Sequence, residues 1–468
     1  MQNSAFIESV RVRLAWSTCG AWLLSLGCGG DAASGGAGAS ANAAEGADAG
    51  AHQGATADAE AVGPLPSEVT YYQHVKPIVD AKCVRCHVAD TVAPFALDSY
   101  ELAKQYAASA LVAIQSGSMP PWIFDNDCNS YRGNYSLSER EKALFEAWVE
   151  QDTPEGDPKK PAPALDLDAT SLSRVDVSLR MPEPYTPQLR PDEYRCFPVA
   201  WPEQFQTTKY MTGFKAVPGN LKVVHHVEIY KVGPRQAAEA FAKDDADPGP
   251  GYGCFSGPGV GDGTIGGWAP GGTGYDYPEG VGIEIEPGSV IIIQIHYNTS
   301  SAEPAPDVSG VDFKVDDDAI AGGYDFWTDV RWSFGHQMPI PSGMSEVSHT
   351  WTEDPTVLGG GRAIRLHSAS IHMHNLGARG HMILKRADGS EECVVRIPRW
   401  DFNWQTGARF AEPIAVHPGD RIELRCVFDN SADNQPIING ERQPPRDVNW
   451  GEGTADEMCL GILQWSPL

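Results

Sequence analysis

Ser370-Ile371-His372-Met373-His374 is the stretch on which the reading of this chain turns. On an extended backbone successive side chains point to opposite faces, so His372 and His374 share one face and Met373 takes the other. Two imidazoles at that spacing on a stiff strand form a two-point metal claw. The plainer alternative is a pair of hydrogen-bonded histidines on a half-polar strand face. Either way the segment reads as a strand, and it sits among other runs of the same kind.

Further ligand-type residues lie on both sides of it. Upstream are the doublet His225-His226, within Val223-Val224-His225-His226-Val227, and His296, which closes the β-branched run from Val290. Downstream is Met458, followed at once by Cys459. Three histidines in one half, and two histidines with a thioether in the other, imply two metal sites of different softness. Neutral imidazole suits copper, zinc, iron and nickel, whereas a thioether favours Cu(I). Two unlike copper sites in one chain point to oxygen chemistry. Adjacent histidines on a regular strand face opposite ways, so His225 and His226 need a bulge, a twist or a strand end to share an ion.

A chain of 468 residues accommodates about three domains at ~100–200 residues each. Its net charge of -27, from 62 acidic against 35 basic residues, argues against nucleic-acid or anionic-membrane partners. With 49 glycines, 36 prolines and few helix-like periodic runs, the composition favours short strands joined by turns.

The first residues read as an export signal. Arg11 and Arg13 precede an apolar run from Leu14 to Leu26, of signal length and too short to span a bilayer. The run ends at Ser25-Leu26-Gly27-Cys28, similar to a bacterial lipobox with Cys28 as the lipidated residue, although Ser25 stands where that motif prefers Leu. Residues 1–28 are therefore the expected signal, and the Ala/Gly-rich stretch 29–66 a flexible tether that cannot bury a core. The expected location is the periplasm or the outer cell surface, with membrane attachment through the lipid alone. Apart from Cys19, Cys28, Cys83 and Cys86, six cysteines remain (Cys128, Cys196, Cys254, Cys393, Cys426 and Cys459), enough for three disulfides in an oxidising compartment.

Cys83-Val84-Arg85-Cys86-His87 is a C-x-x-C-H, the attachment signature of a covalent haem c, with His87 presented as an axial ligand. A redox or zinc C-x-x-C is the alternative. Met119, in Ser116-Gly117-Ser118-Met119-Pro120-Pro121-Trp122, is the candidate second axial ligand, on a loop kept out of helix by two prolines; the alternative is packing against Trp122. Ser138 and Glu141 fit a capping box, ahead of an apolar stripe of Leu144, Phe145 and Trp148. Residues 67–157 resemble a small all-α, class I cytochrome c domain, on the strength of C-x-x-C-H and the Gly-x-Met-Pro loop. Residues 158–174 form a proline-rich linker. Beyond it two strand-rich stretches, 175–318 and 319–468, predict two successive β units, each a sandwich or jelly roll. The expected fold is mainly β, preceded by the small helical domain.

Taken in order, His225-His226, His296, His372-x-His374 and Met458-Cys459 resemble the copper type II, ascorbate-dependent monooxygenases, the group of peptidylglycine α-hydroxylating monooxygenase and dopamine β-hydroxylase. The resemblance runs from about Val175 to Leu468, and extends to Gln294-Ile295-His296-Tyr297-Asn298 and to the stretch from Arg396 to Gln405. It implies an electron-transfer copper on His225, His226 and His296, and an oxygen-binding, catalytic copper on His372, His374 and Met458. It implies O2, a small-molecule substrate hydroxylated at an activated C–H bond, and an open cleft across which the second electron passes. It implies disulfides Cys426–Cys459 and Cys196–Cys254, which leaves Cys128–Cys393 as the third. Ser370 stands where peptide-amidating members carry Arg, and Ile462 where they carry Tyr, so a peptide C-terminus is not the expected substrate. The fused haem domain suggests that electrons from an outside donor, an ascorbate-like reductant or a periplasmic redox protein, enter through the chain itself. A non-enzymatic copper-binding or electron-transfer lipoprotein is the alternative function.

Overall fold

A computed structural model describes residues 63–89, 93–165, 171–255, 257–261, 263–270, 272–299, 302–438 and 441–468. The expected signal, the lipidated Cys28 and nearly all of the tether lie outside these residues. Among the described residues no helix is long and apolar enough to cross a membrane.

The first described part is helical. A π turn, Tyr71–Val75, runs into the helix Lys76–Lys82, followed by Tyr100–Gln115 and Glu139–Glu150. Ser99 caps the second helix through Leu102 N–H, and Ser138 with Glu141 completes both halves of a capping box on the third. Their apolar faces meet in one cluster that includes Val75, Ile78, Ala103, Ile114, Phe145 and Trp148. The connection between the last two helices behaves differently. Ile123, Phe124 and Tyr131 are buried not in that cluster but in the core of the C-terminal β unit.

Two β units follow. In the first, a sheet containing Val177–Arg180, Gly310–Asp316, Lys209–Val217 and Val281–Ile285 faces a five-stranded sheet containing Asp192–Ala200, Val290–Asn298 and Val224–Val232. Phe214, Phe313 and Ile285 from one sheet meet Phe197, Ile229, Ile293 and Ile295 from the other, which makes a sandwich. The strand Val290–Asn298 is buried on both faces, because Val290 and Ile292 lie under a second cluster beside the helix Ala237–Ala246. This explains the apolar run from Val290 to Ile293 with which it begins. The short strand Ile320–Ala321 still pairs with this unit, parallel to Val281–Ile285.

The second unit is also a sandwich, of two four-stranded sheets. One orders Gly323–Trp327, Leu460–Pro467, Ile364–His372 and Ala408–Val416; the other orders Val347–Glu353, Arg421–Phe428, Gly377–Lys385 and Glu391–Ile397. Ile364, Leu366, Ile371 and Phe410 pack against Met382, Leu384, Leu424 and Phe428. The three expected disulfides are present: Cys128–Cys393, Cys196–Cys254 and Cys426–Cys459. The first of them joins the connection between the helices to the strand Glu391–Ile397.

Candidate metal centres

The histidine doublet shares one side of its strand because the strand is bulged there. Val224 pairs with Tyr297, but His226, rather than His225, pairs with His296, so the register shifts between them. The extra residue leaves both histidines outside the sandwich core, between the buried Val224 and Val227. His296 points the same way, from the outer face of Val290–Asn298. Among the described residues, ligand atoms of His225, His226 and His296 all lie within 4.8 Å of one another. Nδ1 of His226 is 3.4 Å from Nδ1 of His225 and 3.4 Å from Nδ1 of His296. Nε2 of His296 donates to Asp192 Oδ1 at 2.9 Å, which leaves its Nδ1 bare. Nε2 of His225 is buried without a hydrogen-bond partner. Buried imidazoles with unspent nitrogens are the donor set of a soft or borderline cation.

A bulge places the second pair as well. Register shifts between Leu366 and Ser368, so the core positions change from Ile364 and Leu366 to Ala369 and Ile371. The shift turns His372 outwards while Met373 is fully buried in the core. His374 lies just past the end of the strand Ile364–His372, where an unbroken strand was expected. The rings of His372 and His374 are nevertheless 5.0 Å apart. Nδ1 of His372 donates to Gln405 Oε1, and Nδ1 of His374 donates to the Asp456 carbonyl at 3.0 Å. Nε2 of both rings therefore carries the lone pair. The buried Glu457 brings Met458 to this pair: its Oε2 accepts from His374 N–H at 2.8 Å and from Met458 N–H at 3.3 Å. Burial pushes the Glu457 carboxyl up to about 8, against backbone N–H groups that hold it down. Next to Met458, Cys459 is tied to the strand Arg421–Phe428 through Cys426.

Burial also keeps these imidazoles neutral. It lowers His225 and His374 to about 4 and His372 to about 3, and holds His226 and His296 well below the ordinary value. A neutral ring is what a metal ion requires.

Between the two sets, where an open cleft was expected, stands Phe402. The ring of Phe402 stacks on His225 at 4.9 Å and meets His374 edge-on at 6.1 Å. On the far side of the first set, Tyr194 stacks on His296 at 4.2 Å and donates to the Glu452 carbonyl, on the loop that leads to Met458. Asp192, Tyr194, Phe402, Gln405 and Glu457 carry no ligand-type signal of their own in the sequence. Phe402 and Gln405 lie in the family-like stretch, and only contact across the fold assigns them a part.

The residues of the C-x-x-C-H motif lie at the edge of the helical cluster. Neither Cys83 nor Cys86 takes part in a disulfide, and Cys83 and Val84 pack at the margin of the apolar cluster. Nδ1 of His87 donates to the Phe95 carbonyl at 3.0 Å, leaving Nε2 bare, and Phe95 stacks on Tyr106 at 4.0 Å. Met119 is half-buried, with its backbone N–H on the Ala113 carbonyl. Arg85 lies 4.0 Å over the ring of Tyr135, whose hydroxyl donates to the Pro121 carbonyl beside the Met119 loop. Of the other described histidines, Nδ1 of His74 accepts from Thr70 N–H, and His367 pairs with Ser466.

The N-terminal domain of the copper type II ascorbate-dependent monooxygenases matches residues 177–304, and the C-terminal domain of the same family matches residues 336–466. DBH-like monooxygenase protein 1 of chicken (Gallus gallus) is 26% identical over 215 residues, 43% of this chain and 32% of that protein. Putative DBH-like monooxygenase protein 2 of human (Homo sapiens) is 24% identical over 269 residues, 54% of this chain and 49% of that protein. Human DBH-like monooxygenase protein 1 is 26% identical over 271 residues, 53% of this chain and 40% of that protein. This chain thus spans half or less of the length of these relatives. With both domains matched in order over more than half of its residues, the chain belongs to the copper type II ascorbate-dependent monooxygenase family.

Proposed function

We propose that this protein is an exported, lipid-anchored copper monooxygenase that hydroxylates an activated C–H bond of a small organic molecule with O2, and draws its electrons through a covalent haem c. The observation that carries the reading is the juxtaposition, on either side of Phe402, of three converging imidazoles and of the His372–His374 pair, whose neighbour Glu457 also holds the Met458 backbone. His225, His226 and His296 hold one copper ion, and His372, His374 and Met458 the other. Bound there, copper supplies the reduction of dioxygen and the cleavage of the substrate C–H bond that yields an alcohol.

The protein's own groups set the conditions for that chemistry. Asp192, Gln405 and the Asp456 carbonyl fix which nitrogen of each ring is bare. The thioether of Met458 favours the cuprous state at the second site. Phe402 stands between the rings of His225 and His374. Ser370 and Ile462 face each other on paired strands, in register two residues before His372. No charged side chain stands at either position.

Cys83, Cys86, His87 and Met119 suit a haem c, with thioether attachment at the two cysteines and a bare Nε2 on His87. The test is copper-dependent oxygen consumption by the haem-bearing protein with a screen of small neutral substrates. His372→Ala and Met458→Ala should abolish it while leaving the haem spectrum intact. Tight copper binding with no oxygen consumption in the wild type would instead establish a copper carrier.

A further inference from the structure

Seven residues, Arg399-Trp400-Asp401-Phe402-Asn403-Trp404-Gln405, follow the strand Glu391–Ile397 and make an unusual set of contacts. Arg399 Nη2 donates to the Gly117 carbonyl at 2.6 Å, two residues before Met119. The next residue, Trp400, donates through Nε1 to the His374 carbonyl at 2.9 Å. Phe402 stacks on His225 and meets His374 edge-on. Gln405 holds Nδ1 of His372. One end of the stretch therefore touches the loop of the candidate haem ligand, and the rest touches histidines of both metal sets.

The stretch is itself well fixed. Trp400 N–H bonds the Ala378 carbonyl, Asn403 N–H bonds Asp401, and Gln405 Nε2 bonds the Phe402 carbonyl. Around it the helical part is fastened to the same β unit by the Cys128–Cys393 disulfide and the Asp125–Arg396 ion pair. Burial of Ile123, Phe124 and Tyr131 adds apolar contact. A domain tethered only by a linker needs none of these.

We propose that Arg399–Gln405 is the bridge by which the haem crevice delivers electrons to the copper sites, with Arg399 as the residue that positions the Met119 loop on it. The inference rests on the haem reading given above. The step is a one-electron transfer: a ferrous haem c becomes ferric, one cupric ion becomes cuprous, and no bond or proton changes place.

The experiment uses the full chain matured with haem and loaded with Cu(II), kept free of oxygen. A photochemical one-electron donor reduces the haem, and its re-oxidation is followed optically alongside the cupric EPR signal. The expected result is re-oxidation at a rate independent of protein concentration, matched by loss of an equal amount of cupric signal, and absent from copper-free protein. Arg399→Ala should keep the haem spectrum and copper content while slowing transfer about tenfold, as expected if one charge-assisted hydrogen bond sets the docked fraction of the loop. Arg399→Lys should recover part of the rate. Should Arg399→Ala fail to fold, Arg396→Ala combined with Cys128→Ser and Cys393→Ser loosens the same contact from further away and should also slow transfer. Re-oxidation that scales with protein concentration, or wild-type rates in all these variants, overturns the bridge and leaves the haem reading in place. A wild type whose spectrum matches that of Cys83→Ser/Cys86→Ser carries no covalent haem, and that result overturns both.

Discussion

At the scale of single residues, the groups behind the histidines matter as much as the histidines. Asp192 stands 104 positions from His296 and accepts both from its Nε2 and from Asn298 Nδ2. That contact decides the tautomer of the ring and raises the basicity of the nitrogen facing the other two imidazoles. Asp192→Ala should weaken copper binding at the three-histidine set about 10–100-fold, with little change at the other site. Competition with a chelator, read site by site through EPR, checks it; unchanged affinity would mean the carboxylate has no part in holding the ring. Gln405→Ala should act in the same direction on His372. The five histidines and Met458 were legible in the sequence because their residue types announce a ligand. Asp192 and Gln405 were not, because a carboxylate or an amide acquires meaning only from the ring it faces.

At the scale of elements, two bulges do the placing. Alternation in the sequence predicted the strands and put Met373 opposite His372, and both are found. The adjacency of two histidines on one strand called for a bulge, a twist or a strand end at His225, and the structure has a bulge. The one at His367 left no such mark, although without it the parity of Ile364 and Leu366 would drive His372 into the core. The place of Phe402 between the two sets was equally hidden, since it reads as one more apolar residue in a loop. On the opposite loop, burial and then the neighbouring Glu228 raise the Glu452 carboxyl to about 7. A raised acid binds its proton more tightly in the folded state, so its contribution is complete below the ordinary carboxylate range and lost as pH climbs through about 7. Metal-free wild type should therefore lose on the order of 1–2 kcal/mol between about pH 5 and pH 8 that Glu452→Gln retains. Denaturant unfolding at the two pH values measures this, and parallel losses in both proteins would count against it.

At the scale of the whole molecule, the mainly β character was readable from the strand-like runs and the turn-rich composition. The interlocking of the first part with the last was not. Residues 125–132 bond to both sheet edges of the C-terminal unit, through Arg396 on one and Arg409 and Ala411 on the other. The Cys128–Cys393 disulfide spans 265 positions and should contribute about 2–5 kcal/mol. Cys128→Ser/Cys393→Ser should lower the unfolding free energy by that amount and open the 122–135 connection to limited proteolysis. A variant as stable and as resistant as the wild type would show that the apolar contacts suffice alone.

The same disulfide sets a problem of timing. Of the six cysteines in disulfides, synthesis presents Cys128 first, then Cys196 and Cys254, and only much later Cys393. Oxidised in order of appearance, these thiols would join Cys128 to Cys196 and Cys254 to Cys393. The native pairing skips both, so Cys128 has to wait, or be released from a wrong partner, until the last third of the chain has arrived. Until then Ile123, Phe124 and Tyr131 have no core to enter. A host able to reshuffle non-consecutive bridges, and to shield that stretch meanwhile, is thus a condition for obtaining the protein intact.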